Sequence, residues 1–245
     1  MRIPRIYQTS MVPWQLGAEI ELDPEAAHHV GRVLRMSAGQ PIELFNGDGH
    51  NYAATITTIA KRGISVKIVE VAPNPTESPL QVHLAQGISR GERMDFVLQK
   101  SVELGVYEIT PLFTERCTVK LSGERLLKKQ QQWQRIVISA CEQSGRSFVP
   151  KVNLPLSMQQ WLAQLPKGLR LTLDPYATEP LQQLTEHPKQ LTLLIGPEGG
   201  LTEDEVALAS AHHFLPVRLG PRVLRTETAA LTALSVIQYQ FGDLA

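Results

Sequence analysis

The chain has 245 residues, 42% of them hydrophobic, and its 24 basic and 24 acidic side chains cancel to a net charge of zero. That length allows one large domain or two smaller ones, and the balanced charge argues against a uniformly basic nucleic-acid binder. No window approaches the roughly 18 apolar residues of a membrane span, and the opening MRIPRIYQ lacks the apolar core of a secretory signal, so a cytoplasmic location is expected.

Asp23-Pro24-Glu25 opens a short helix that carries His28, Val30, Val33 and Leu34. Pro41 to Phe45 reads as a strand and Asn46-Gly-Asp-Gly49 as a hairpin turn. Asn51 to Ile59 alternates like a strand, Lys61-Arg-Gly63 turns the chain back, and Ile64 to Val71 alternates again. Several short strands in about seventy residues predict a small β-barrel. It carries Arg2, Arg5, Arg32, Arg35, Lys61 and Arg62, which suits docking on RNA, although its acids balance its bases. Ala72 to Pro79, APNPTESP, has proline without apolar periodicity and reads as a linker. The expected division is a barrel over 1–72, a linker over 73–79 and a second domain over 80–245.

After the linker the period changes. Leu80 to Ile88 is an apolar strand. Arg90 to Leu104 is a helix with Met94, Val97, Leu98 and Val102 at helical spacing. Glu108 to Phe113 is a strand, and Gly123 to Ser144 a long helix with Leu126, Leu127, Trp133, Ile136 and Val137 inward. Leu169 to Leu173 is a strand ending in Asp174-Pro175. This alternation predicts a mainly parallel α/β sheet. Between Glu115 and Lys151 the chain carries an excess of five positive charges. Such a patch can hold phosphates, or it can be a solvated helix face, the reading preferred for Lys128 and Lys129. Trp133 and Trp161 read as core or interface. Cys117 and Cys141 belong to no C-x-x-C pair, and His28-His29 and His212-His213 match no zinc pattern, so no metal is expected.

The last fifty or so residues hold the chemistry. In LTLLIGPEGGL, from Leu191 to Leu201, an apolar strand stops at Gly196 and a glycine loop leads to Thr202-Glu-Asp-Glu205, a capping box. No P-loop lysine follows, the G-x-G-x-x-G fingerprint is absent, and the acids at the helix start repel phosphate. A neutral or cationic ligand held by backbone groups fits, as does a tight turn without a ligand. A second unit repeats the pattern. Val217 to Leu219 is a short strand, Gly220-Pro221-Arg222-Val223-Leu224-Arg225 a loop, and Thr226 caps a long apolar helix. Two such loops at one sheet edge can form a cleft. Arg222, Arg225, Glu198 and Glu227 flank it, with an Arg225–Glu227 surface pair as the bland alternative.

LLIGPEGGLTEDEV followed by LGPRVLRTETA resembles the RsmE family of ribosomal RNA uridine-N3 methyltransferases, in the SPOUT superfamily. HHVGRVLRMSAGQPIELFNGDG, RMDFVLQKSVELGVYEITPLFTERC and ACEQSGRSFVPKV extend the resemblance over nearly the whole chain. It implies a PUA-like RNA-binding barrel and an α/β domain whose C-terminal segment threads a deep trefoil knot. It also implies an S-adenosylmethionine (SAM) site and a homodimer acting on ribosomal RNA or the assembled small subunit. Carried onto this sequence, the cofactor loops are Leu173, then Ile195, Gly196, Pro197, Gly199 and Gly200, then Leu219, Gly220, Pro221, Val223 and Leu224. Uridine N3 must lose a proton before it attacks, so the chemistry asks for a base and for a cation near O2 or O4. Arg225 is the candidate cation. Glu198 is the candidate base or, alternatively, a brace for the loop. Arg116 and Arg146, with Arg90 and Arg93 behind them, are candidates to grip RNA phosphates. A non-catalytic RNA-binding protein of the same fold, or a methyltransferase for another RNA base, stays open at this stage.

Overall fold

The computed structural model describes residues 3–60, 63–178, 181 and 188–245. Arg2, Lys61 and Arg62 lie outside the described residues. The chain forms two compact units, one of Met1–Glu77 with Cys141–Val149 and one of Ser78–Ala140 with Pro150–Ala245.

The first unit is a five-stranded mixed sheet. Its strands are β1 (Arg5–Tyr7), β2 (Glu19–Glu21), β3 (Pro41–Phe45), β4 (His50–Ala60) and β5 (Gly63–Pro73), in the order β1-β3-β4-β5-β2. β1 runs parallel to β3 and the other pairs are antiparallel. Register shifts between Ala53 and Ala54 and between Ile56 and Thr58 add local twist to the long β4–β5 ribbon. Period-two alternation puts Tyr52, Ala54 and Ile56 of β4 and Ile64, Val66 and Ile68 of β5 on one buried face. Helix α1 (Pro24–His28), capped by Asp23, closes that core with Ala26. A π-type turn over His29–Val33 follows and adds Val30.

Two arginines expected to meet RNA are engaged within this unit. Arg5, its side chain 10% exposed, ion-pairs with Glu43 and donates from Nη2 to Ser147 Oγ (3.0 Å) and the Arg146 carbonyl (3.2 Å). Arg146 is 4% exposed and clamps Glu77 through two contacts, Nε to Oε1 at 3.1 Å and Nη2 to Oε2 at 2.6 Å. Neither guanidinium presents an open face to a phosphate. Arg32 and Arg35 are exposed.

The second unit is a seven-stranded, all-parallel sheet. It contains β6 (Gln81–Gly87), β7 (Val106–Phe113), β8 (Lys151–Val152), β9 (Leu156–Ser157), β10 (Leu169–Leu173), β11 (Gln190–Ile195) and β12 (Leu215–Val217). The order is β12-β10-β11-β6-β7-β8, with β9 also paired to β7. Helices α2 (Glu92–Glu103), α3 (Gly123–Ser144), α4 (Met158–Leu162), α5 (Glu203–Ala211) and α6 (Thr226–Phe241) connect or flank the strands. β6, β7 and β11 are buried along most of their lengths, as parallel strands covered on both faces must be. Trp133 and Trp161 are core residues, the latter packed on Phe214. Leu127, expected inward, is 49% exposed. β12 begins two residues before the predicted Val217 and includes Pro216. It pairs with β10 alone, and an edge strand tolerates a residue that lacks an N–H. Among the described residues, no helix is long and apolar enough to cross a membrane.

Candidate active site

Parallel pairing sets several strand ends level. Gln86 of β6 lies opposite Ile195 of β11, Thr172 of β10 opposite Leu194, and Leu173 opposite Val217 of β12. The chain therefore leaves the sheet at Leu173, Ile195 and Val217 along one carboxyl edge, where open α/β sheets bind ligands. Hydrogen bonds tie the three exits together. The Asp174 N–H donates to the Val217 carbonyl (3.1 Å), and Thr226 Oγ1 donates to the Gly196 carbonyl (2.6 Å). The two glycine-proline bends are side by side.

Thr226 holds them in a way that differs from expectation. The cap of α6 is Arg225, extended at φ −66° and ψ 154°, with no side-chain cap bond. Thr226 is the first helical residue, and its hydroxyl faces the neighbouring bend instead of its own helix. The start of α5 follows expectation. Thr202 and Glu205 form both halves of the capping box, and buried Glu205 also accepts from the Glu115 N–H at 2.8 Å.

Gln86 is the site residue that sequence reasoning missed. It is fully buried, with Nε2 2.9 Å from Thr226 Oγ1, 3.0 Å from the Gly87 carbonyl and 3.3 Å from the Gly196 carbonyl. Its Oε1 is buried without a partner among the described residues. The signal was a lone amide at the end of the apolar run LQVHLAQGI. Beside it Gly87 is needed for space. A Cβ there would stand 2.5 Å from the backbone nitrogen of Pro197 and 2.6 Å from its Cδ.

Charged groups brace the first bend. Glu198 Oε1 accepts from the Arg90 N–H (2.7 Å) and from Arg93 Nη1 (3.2 Å). Partial burial pushes the Glu198 carboxyl up. The hydrogen bonds from Arg90, from its own backbone and from Arg93 outweigh that, together with the Arg93 charge, and hold it below the ordinary carboxylate value. A carboxylate kept ionised in this way is a poor proton acceptor and a good tie between the loop after β11 and the start of α2. Arg116 Nη1 reaches the carbonyls of Gly199 (2.9 Å) and Leu201 (3.3 Å). Arg90 Nε donates to Thr118 Oγ1 at 2.6 Å. Arg93 Nε lies 4.0 Å from Glu227 Oε1, so Glu227 faces Arg93 and not Arg225. The exposed Arg225 side chain has no hydrogen bond or ion pair among the described residues.

The second bend presents backbone that is unpaired among the described residues. From Leu219 to Leu224 no N–H or carbonyl is hydrogen-bonded to another described group. Gly220 takes a left-handed φ of 68°, Leu219 and Leu224 are half-buried, and Val223 is 76% exposed. Ile195 and Pro197 are buried, Gly196 and Gly200 half-buried, Gly199 and Pro221 exposed. Free amides and carbonyls beside half-buried leucines suit a flat heterocycle with polar edges. Both cysteines are free thiols; Cys141 is buried, and burial pushes it up to about 12.

Comparison with known proteins places this arrangement. The RNA methyltransferase domain family matches residues 76–238, and the RNA methyltransferase PUA domain family matches residues 22–69. Fold and site thus define a class, an RNA methyltransferase domain preceded by a PUA domain. The ribosomal RNA small subunit methyltransferase E of Buchnera aphidicola (subsp. Schizaphis graminum) is 38% identical over 245 residues, covering 100% of this chain and 99% of its own. That of Bacillus subtilis is 34% identical over 225 residues, 88% of each chain. The Neisseria gonorrhoeae enzyme of the same name, solved bound to SAM, superposes with a TM-score of 0.93 at 39% identity over 100% of both chains. A Legionella pneumophila chain described as a methyltransferase, also with bound SAM, gives 0.95 at 49% identity over 100% of both. The chain belongs to the RsmE family of ribosomal RNA small subunit methyltransferases.

Proposed function

We propose that this chain transfers a methyl group from SAM to N3 of a uridine in small-subunit ribosomal RNA. The observation that carries this reading is the side-by-side placement of the two glycine-proline bends, joined by Thr226 Oγ1 and the Gly196 carbonyl. Family membership and the SAM held by relatives support it.

Bound SAM supplies a sulfonium methyl group open to in-line attack. The free backbone of Leu219–Leu224 holds the adenine edge, with Leu173, Ile195 and Leu224 as apolar walls. Glu198, Arg93 and Arg116 keep the first bend in place. The N3 proton passes to solvent, the N3–CH3 bond forms as the S–CH3 bond breaks, and S-adenosylhomocysteine leaves. Arg225 stabilises the uridinate that forms on proton loss, and the positive end of α6 adds to that field. Calorimetry with SAM, followed by mass spectrometry of ribosomal RNA from cells with and without the protein, tests the reading. SAM binding without any change in the RNA would leave a docking module in place of an enzyme.

Gly87→Ala probes the junction of the bends. Its methyl group meets backbone, which cannot swing aside. The expected result is about 1–3 kcal/mol of lost stability together with about tenfold weaker SAM binding, equivalent to ~1.4 kcal/mol. Melting curves and calorimetry read both, and parental values in each would show that β6 and the first bend have room to part.

Residues 1–72 serve as the RNA-docking domain, 73–79 as linker and 80–245 as the catalytic domain in this reading, with the cytoplasm as the place where that RNA is met. The C-terminal segment threads a trefoil knot. The return of the chain from edge strand β12 to pack α6 on α2 and β11 supports this. A second copy covers the α2–α6 face, where Phe96 is 46% and Tyr239 66% exposed, and sedimentation equilibrium tests it.

A further inference from the structure

The amino edge of the second unit's sheet, opposite the active site, carries an open groove of about 830 Å³. Among the described residues, the ionisable ones that line it are Lys167, Arg170, Lys189 and His213, and none is acidic. Lys167 and Lys189 are exposed. Neither they nor Arg170 pair with a carboxylate among the described residues. In a chain with equal numbers of acids and bases, a cluster of cations without counter-charges among the described residues is a local departure that needs a cause.

The backbone brings these cations together. Gly168 has a φ of 127°, and a Cβ there would stand 2.5 Å from the Gln190 carbonyl. That close approach sets Lys167, just before β10, beside Lys189, just before β11. Arg170 is fixed on the groove wall, with Nη1 donating to the His212 carbonyl (2.9 Å) and Nη2 to the Pro166 carbonyl (2.9 Å). Carbonyls hold the guanidinium without cancelling its charge.

We propose that this groove binds the phosphate backbone of the substrate RNA at a point remote from the target nucleotide. β11 has six residues, which at about 3.3 Å per residue places the groove roughly 20 Å from the methyl-transfer edge. A structured RNA spans that distance, and a flexible pair of lysines around a fixed arginine suits phosphates that carry no sequence information. The groove holds RNA for the reaction proposed above and so rests on that reading.

The test is Lys167→Ala/Lys189→Ala in the full chain, with ribosomal RNA binding titrated over a range of salt. Losing two phosphate contacts makes the slope of log Kd on log salt shallower by about 1.4–1.8, with binding about tenfold weaker at low salt. SAM affinity is unchanged, because both lysines lie at the opposite edge from the bends. An unchanged slope and Kd, while the parent binds and methylates RNA, overturn the groove and leave the proposed function standing. Unchanged RNA binding with weakened binding of polyglutamate also overturns it and gives the groove to an acidic protein. A parent chain that neither binds nor methylates the RNA removes the proposed function and the groove with it.

Discussion

Replacing Arg225 with alanine is expected to lower kcat about 10²–10³-fold, the usual cost of removing one donor from a developing anion. SAM affinity is expected to stay within about twofold, so the loss falls on the transition state and not on cofactor binding. Several features single Arg225 out. It follows directly from the bend with free backbone groups, and it caps α6, so its charge adds to the unsatisfied N–H groups of that helix end. The carboxylate two residues on, Glu227, faces Arg93. Arg93, Arg116 and Arg90 all have protein partners, whereas Arg225 has none among the described residues. Arg225→Lys keeps the charge without the planar fork and should recover part of the rate. Single-turnover methylation at saturating SAM separates the outcomes, and an alanine variant at the parental rate would take Arg225 out of the chemistry.

Much of the fold was legible because glycine and proline punctuate it. β3, α3 and β10 run over the residues that periodicity predicts. β12 was displaced by two residues because apolar side chains flank Arg218 on both sides, and the pairing with β10 chooses between them. Thr226 was one position off as a cap because its hydroxyl has a better acceptor across the site at Gly196, thirty residues away in sequence. The arginines show the deeper limit. A sequence displays cations, but not that Arg5 meets Glu43, that Arg146 meets Glu77, or that Arg116 meets the Gly199 carbonyl. Those partners lie between 38 and 83 residues apart, and only the folded chain reveals which charges are already satisfied. Gln86 was hidden for the same reason. An amide in an apolar strand gains meaning once Gly196 and Thr226 are beside it.

Glu77→Ala is expected to cost about 3–5 kcal/mol of stability, because it strips a buried guanidinium of a bidentate carboxylate. Arg146 is nearly inaccessible and sits in a tightly tied segment. Asn74 Nδ2 donates to the Gly145 carbonyl at 2.8 Å and to Ser147 Oγ at 2.7 Å, and Arg5 reaches the Arg146 carbonyl. Relaxation toward water would break those bonds as well, so the charge has no inexpensive exit. Glu77→Gln keeps the shape and one acceptor and should lose less. The double variant Glu77→Leu/Arg146→Met removes both charges together, and should recover most of the stability, since a buried ion pair contributes little beyond an apolar pair of similar size. Urea unfolding of the parent, Glu77→Leu, Arg146→Met and the double variant closes the cycle, with Glu77→Ala and Glu77→Gln measured beside it. A double variant as unstable as Glu77→Ala would mean that Arg146 stabilises the unit through its other contacts. A double variant that is stable and still methylates ribosomal RNA at the parental rate would place Arg146 inside the first unit's framework and outside its grip on RNA.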